Sequence, residues 1–320
     1  MGTTRRRLVA NDTVMGTTVS IHVIVDSGFS LSDGASATSA NRVAVFGSGD
    51  AMHDDGPRDA ALHPVSAAAV AGFCASMHDD DRLFSPFRDD SQVTLLRRGA
   101  MTIDDANPRI REVEAACRWA LTASGRRFDA WWEGWFNPTG YVKGWATERA
   151  FTAHLLPLLT TEASVIAVGV GVGGDLRVAT RPDAAGGADG WAWAVGIVDP
   201  ADSTRTIARI TLTDGAVASS GTAARGSHII DPATGAPAAV AGKAGDVASA
   251  TVVADTLDQA DLWATTAVIA GFDDLAWIAN AHTRQGLLVA GDGRTRRWTG
   301  AAEVTLTGSD NPSFAGGLPR

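Results

Sequence analysis

An α+β fold of mixed sheets with packed helices is what this 320-residue chain predicts. Two observations carry that prediction. Helical patterns dominate from residue 65 to residue 156, whereas β-patterned segments dominate from Ser164 onwards. The strands also far outnumber those of a simple strand–helix–strand alternation, which argues against a doubly wound parallel sheet.

In chain order, residues 17–25 alternate with β-branched side chains and read as a first strand. Residues 27–63, rich in Ser, Ala, Gly and Asp, read as a long flexible insert with a short strand at 43–46. Helical content marks 65–77 and 108–123, and Asn107 before Pro108 supplies an N-cap with proline at the first helical position. Residues 128–136 are aromatic-rich and irregular. A helix follows from Tyr141 to Leu156 and stops before Pro157. Strands are expected at 164–168, 175–179, 191–198, 207–212, 216–219, 228–230 and 248–254. Helices at 257–270 and 272–281 and a strand at 286–290 finish the core. No internal repeat interrupts this order, so one domain over 1–320 is expected, with its motifs between 15 and 271.

Composition narrows the function. Hydrophobic residues make up 45% of the chain and the net charge is −9, with no basic patch to track a phosphate backbone. Nucleic acid is therefore not an expected partner. Arg5-Arg6-Arg7 is followed within a few residues by Asn11, Asp12 and Thr13, so no secretory apolar run forms. No stretch of 18 apolar residues occurs, so no membrane span is expected and the chain reads as cytoplasmic. Cys74 and Cys117 make neither a disulfide framework nor a thiolate metal site. The lysines are Lys143 and Lys243 alone, against 25 arginines. In such a chain Lys143, between Val142 and Gly144, looks chosen for its side chain.

Four segments carry chemistry. His228-Ile229-Ile230-Asp231-Pro232-Ala233-Thr234-Gly235 places an imidazole near a carboxylate, and its apolar pair predicts a buried strand delivering both to a bend. The alternative is a structural turn. Asp261 and Thr265 stand four apart on a predicted helix, so a carboxylate and a hydroxyl share one face. Two hard oxygens at that spacing suit Mg²⁺, which takes few protein ligands. The competing reading is an acidic helix start with a Thr facing solvent. Gly169-Val170-Gly171-Val172-Gly173-Gly174 fits G-x-G-x-x-G, but Asp175 to Ala179 continues as a strand where a dinucleotide site needs a helix. A tight turn between strands is expected instead. Finally, Phe128-Asp129-Ala130-Trp131-Trp132-Glu133-Gly134-Trp135-Phe136 offers either a wall for a flat heterocycle or core anchors under a loop.

Taken in order, these segments resemble the ApbE-type flavin transferases, the FAD:protein FMN transferases. Met15-Gly16-Thr17-Thr18-Val19-Ser20-Ile21 is similar to the family's opening strand. Phe84-Ser85-Pro86-Phe87-Arg88-Asp89-Asp90-Ser91-Gln92-Val93 is similar to its Ser/aromatic/Ser segment, and Phe128-Asp129 to its Phe-Asp. Thr139-Gly140-Tyr141-Val142-Lys143-Gly144-Trp145-Ala146 resembles Gly-Gly-x-Ala-Lys-Gly-Tyr-Ala. Gly173-Gly174-Asp175, Trp193 to Pro200, Ser219-Ser220-Gly221, the His228 segment and the Asp261/Thr265 helix complete the series. Thr139, Val142 and Gln92 depart from the family's glycine, alanine and glutamate.

The resemblance implies an ApbE/T-fold-like architecture and a defined chemistry. FMN would pass from FAD to a Thr or Ser hydroxyl of a target flavoprotein, with release of AMP. Such transfer is chiefly positioning and charge neutralisation. Asp261, Thr265 and the Val142 carbonyl would hold Mg²⁺. Met15, Ser85, Phe87, Ser91, Phe128, Asp129, Gly174, Asp175, Ser220 and Gly221 would bind FAD. Lys143 would add positive charge near the pyrophosphate, or pair with Glu148. His228 is the candidate general base, since imidazole titrates near working pH. Asp231 would orient it or cap the turn. An FAD pyrophosphatase and a non-catalytic flavin carrier are the alternatives.

Overall fold

The computed structural model describes residues 5–26, 64–185, 190–222, 226, 228–243 and 245–303. The 27–63 insert and its strand at 43–46 lie outside the described residues. The chain opens with β1 (Arg5–Val14) and β2 (Thr17–Asp26), a hairpin turning at Met15 and Gly16. Helices α1 (Pro64–Phe84), α2 (Gln92–Arg97), α3 (Pro108–Ala123) and α4 (Thr139–Ala150) follow. A π-helical turn, Phe151–Leu155, and the short α5 (Leu158–Thr161) lead into the second half. There β3 (Val165–Val172), β4 (Asp175–Thr180), α6 (Pro182–Ala185), β5 (Trp193–Asp199), β6 (Asp202–Leu212), β7 (Asp214–Gly221) and β8 (Val247–Ala254) come in turn. The last elements are α7 (Leu257–Ala270), α8 (Ile278–Ala281), β9 (Gln285–Ala290), β10 (Thr295–Thr299) and β11 (Ala302–Glu303).

The expected α+β class is borne out. Among the described residues, nine strands form one sheet in the order β1-β2-β3-β4-β7-β8-β9-β10-β11, and β5 pairs with β6 as a separate two-stranded ribbon. Each ladder is antiparallel. Side-chain alternation then builds two cores. From β3, Val165, Val168, Val170 and Val172 meet the helices, while Ile166 and Ala167 face the other way. From β8 and β9, Val252 and Leu288 face the helices, whereas Val253, Leu287 and Val289 face the β5–β6 hairpin. The molecule is thus layered: helices, nine-stranded sheet, hairpin. Gly169 shows how tightly the hairpin seats, since a Cβ there would stand 2.8 Å from the buried Trp193 ring.

Several expectations need correction. Residues 5–14 form a full strand that the sequence reading left unassigned, and α2 was likewise not anticipated. The helix expected at 272–281 shrinks to Ile278–Ala281. Residues 228–230 are not a strand; Ile230 makes a single bridge to Pro237, and His228 is exposed. A short apolar pair flanked by turn residues was too little pattern to commit a strand. The α3 reading holds: Asn107 accepts from the Arg109 N–H at 3.0 Å, with Pro108 first in the helix. So does the rejection of a dinucleotide fold, because Gly173-Gly174 is the turn of the β3–β4 hairpin.

Candidate functional site

Helix α7 lies on the helix face of the sheet, packed against α4, β7 and β8. Its contact with α4 is backbone to backbone. A Cβ at Gly144 would sit 2.9 Å from Asp258 Cα and 3.0 Å from the Leu257 carbonyl oxygen. Glycine at 144 is therefore what lets the two helices touch. Two side chains lace the same seam. Tyr141 donates its hydroxyl to Asp258 at 2.9 Å, and Glu148 accepts the Leu257 N–H at 2.8 Å. Glu148 thereby satisfies a first-turn N–H of α7 and places negative charge at its positive end.

This packing sets Asp261 and Thr265 on the wall of a cavity of about 450 Å³. Lys143, from the middle of α4, reaches the same wall. Its ammonium binds Asp175 at the start of β4 and lies 3.0 Å from Asp261 Oδ2. Asp175 accepts the Ser219 N–H at 3.1 Å, and Ser220, next on β7, lies 3.2 Å from the Thr265 hydroxyl. Both aspartates are buried. Burial pushes the Asp175 carboxyl up; the Lys143 charge opposes that shift, and the nearby Asp261 carboxylate adds to it. Lys143 is raised: its burial acts against the charge, but Asp175 and then Asp261 more than offset it. The pairing of Lys143 with Glu148 considered from sequence is not what forms. Glu148 instead takes Arg177 of β4, at 3.0 Å, together with the helix cap.

Further lining comes from the segment that follows β7 and from the aromatic segment. His228, Ile229, Ile230 and Pro232 line the cavity, as do Arg127, Phe128, Asp129, Trp132 and Glu133. The His228 Nδ1 lies 3.1 Å from the Gly226 carbonyl oxygen. A carbonyl only accepts, so this bond selects the tautomer protonated at Nδ1 and leaves the Nε2 lone pair as the basic site. Asp231 does not perform that orientation. It caps the turn, accepting from the Ala233 N–H at 2.9 Å and the Thr234 hydroxyl at 3.0 Å.

Of the residues nominated from sequence, Lys143, Asp175, Ser220, Gly221, His228, Phe128, Asp129, Asp261 and Thr265 meet at this cavity. The others stand elsewhere. Gly174 is one residue beyond Gly173, which does line it. Val142 is buried in α4 beside Lys143. Met15 occupies the β1–β2 turn. Ser91 caps α2, accepting from the Thr94 N–H at 3.1 Å and donating to the Ser85 carbonyl at 2.6 Å, while Phe87 is 93% exposed. The aromatic run divides as well. Phe128 and Trp132 line the cavity, whereas Trp131 packs on Phe136 and under Arg118, and Trp135 under Arg97. Sequence reasoning missed Arg127, Glu133, Asn137 and Ser249 as lining residues. Arg127, Glu133 and Asn137 adjoin or fall within the motif segments, which could have signalled them; Ser249 comes to the cavity by pairing with Gly221 across the β7–β8 ladder, which no local pattern records.

Solved ApbE structures share this fold. The ApbE protein of Thermotoga maritima aligns with a TM-score of 0.64 at 20% identity, over 91% of this chain and 97% of its own. The flavinyl transferase ApbE of Pseudomonas stutzeri, in its apo form, gives 0.62 at 17%, over 92% and 94%. The flavin transferase ApbE of Vibrio cholerae gives 0.60 at 16%, over 92% and 97%. A family model described as the ApbE family matches residues 133–288, the stretch that runs from the aromatic segment to β9. The ApbE resemblance read from the sequence is thus borne out. No curated protein matches the chain.

Proposed function

We propose that this chain is an Mg²⁺-dependent FAD:protein FMN transferase. One observation carries the proposal: the paired oxygens of Asp261 and Thr265, the Lys143 ammonium and the His228 imidazole all line one cavity in an ApbE fold. Residues 133–288, which bear these groups, match the ApbE family, and two of the similar structures are named as flavin and flavinyl transferases.

In the reaction, the acceptor hydroxyl oxygen attacks the FMN phosphorus of FAD. A new P–O bond forms to the acceptor, and the bond to the bridging oxygen breaks. That oxygen leaves with AMP, and the acceptor proton passes to a base. His228 Nε2 is suited to take it, because Nδ1 is committed to the Gly226 carbonyl. The donor set fits Mg²⁺. Asp261 and Thr265 offer hard oxygens one turn apart, with the Ser220 hydroxyl beside Thr265. The resemblance implies the Val142 carbonyl as a further ligand; Val142 is buried in α4 next to Lys143 and is not itself part of the cavity lining. Bound there, the cation would neutralise charge on the pyrophosphate and the leaving phosphate. Phe128 and Trp132 supply aromatic faces for a flavin or adenine ring. The test is incubation with FAD, Mg²⁺ and a candidate acceptor segment bearing Thr or Ser. AMP release together with covalent FMN on the segment supports the proposal, and its lack in the presence of a competent acceptor contradicts it.

A further inference from the structure

Two side-chain bridges run in parallel from β4 through α4 to α7. The outer one joins Arg177 to Glu148 and Glu148 to the Leu257 N–H. The inner one joins Asp175 to Lys143 and Lys143 to Asp261. Their ends repeat the periods of the elements that carry them: 175 and 177 share one face of β4, and 257 and 261 lie one turn apart on α7. The outer bridge ends on backbone and holds the helix start. The inner bridge ends on a side chain that faces the cavity.

We propose that Asp175 is a positioning residue which, acting through Lys143, sets both the aim of Asp261 and the charge it presents to a cation. The inference rests on the reading of Asp261 as a Mg²⁺ ligand. Lys143 approaches Asp261 through Oδ2. Asp175 binds the same ammonium and is itself fixed by the Ser219 N–H. The ammonium is thus shared between two carboxylates, and the trio carries one net negative charge. Without Asp175 the ammonium would fall wholly to Asp261 and neutralise it. Without Lys143, both carboxylates would face the cavity wall uncompensated.

Charge arithmetic therefore predicts opposite signs for two near-isosteric changes. Asp175→Asn should weaken Mg²⁺ binding by roughly tenfold or more, and Lys143→Met should tighten it while lowering turnover, because the carboxylate is no longer aimed. The experiment is calorimetric titration of each folded variant with MgCl₂, beside the Mg²⁺ concentration that half-saturates AMP release from FAD. Asp261→Ala is the control. A role in packing alone would move both variants in the same direction, or neither, and would overturn the inference. Wild-type Mg²⁺ binding by Asp261→Ala would instead sink the metal assignment beneath it, as would a wild type that neither binds Mg²⁺ nor releases AMP. Should Asp175→Asn fail to fold, Lys143→Met alone decides by the sign of its shift: tighter supports the inference, and unchanged or weaker overturns it.

Discussion

At the scale of single residues, the assignment rests on two side chains with separable roles. Asp261→Ala removes a carboxylate from the cavity wall and leaves the Lys143 ammonium with Asp175. AMP release from FAD in Mg²⁺ should fall to background while the circular dichroism spectrum stays native; wild-type release by this variant would refute its role. His228 is exposed where it lines the cavity, so His228→Ala should leave the fold unchanged. Transfer should drop by roughly 10²–10⁴-fold, the usual span for losing a general base, with FAD affinity little altered. A variant that binds FAD poorly yet turns over normally at saturation would make His228 a binding residue. These residues were legible in the sequence because each sits in a short pattern of chemically distinctive types. Their partners were not. Asp175 reaches Lys143 through space from another element, and nothing in local spacing records that; the Gly226 carbonyl stands two residues from His228, but a backbone group carries no side-chain pattern to read. Asp231 shows the converse: proximity in sequence to His228 implied a partnership, and the turn took the carboxylate instead.

At the scale of elements, the α4–α7 seam determines whether the site exists. Gly144→Ala would force a methyl group into contact with α7 backbone, where neither helix can yield by moving a side chain. A loss of about 1–3 kcal/mol in denaturant unfolding is expected, of the order seen for overpacking. A larger fractional loss of activity should accompany it, since Asp261 and Thr265 ride on the displaced helix. An unchanged melting temperature would argue against backbone contact between α4 and α7 at Gly144. Elements with strong periodicity were readable: α3 and α7 appear at the bounds their patterns gave, with the Asn107 cap in place. The first strand was not, because Asn11, Asp12 and Thr13 look like a break. In the sheet those polar residues pair with β2 at the turn end of the hairpin, where Asp12 bonds His78 of α1 at 3.0 Å. Tertiary pairing supplied what local propensity did not.

At the scale of the whole molecule, the nine-stranded sheet divides labour between its faces. One face carries the helices and the cavity, and the other is sealed by the β5–β6 hairpin. Gly169→Val should test that seal. The branched side chain would collide with Trp193 and lower stability by roughly 1–3 kcal/mol, while the kinetic constants of the folded fraction stay near wild type because the cavity lies elsewhere. A variant with native stability would argue against close seating of the hairpin. The class of fold could be read from the excess of strands over helices. The order of nine strands could not, since residues 228–230 suggested an extra strand and the partners of each ladder are set by long-range contacts.

The proposed transferase passes FMN to a protein hydroxyl, whereas a pyrophosphatase would pass it to water. That difference is tested most directly by mass spectrometry of an acceptor segment after incubation with FAD and Mg²⁺, with AMP measured in parallel. A transferase should release AMP slowly from FAD alone, release it markedly faster with a segment bearing Thr or Ser, and leave FMN bound through phosphate to that residue. Rapid AMP release that no acceptor changes, with no covalent adduct, would contradict the transferase proposal.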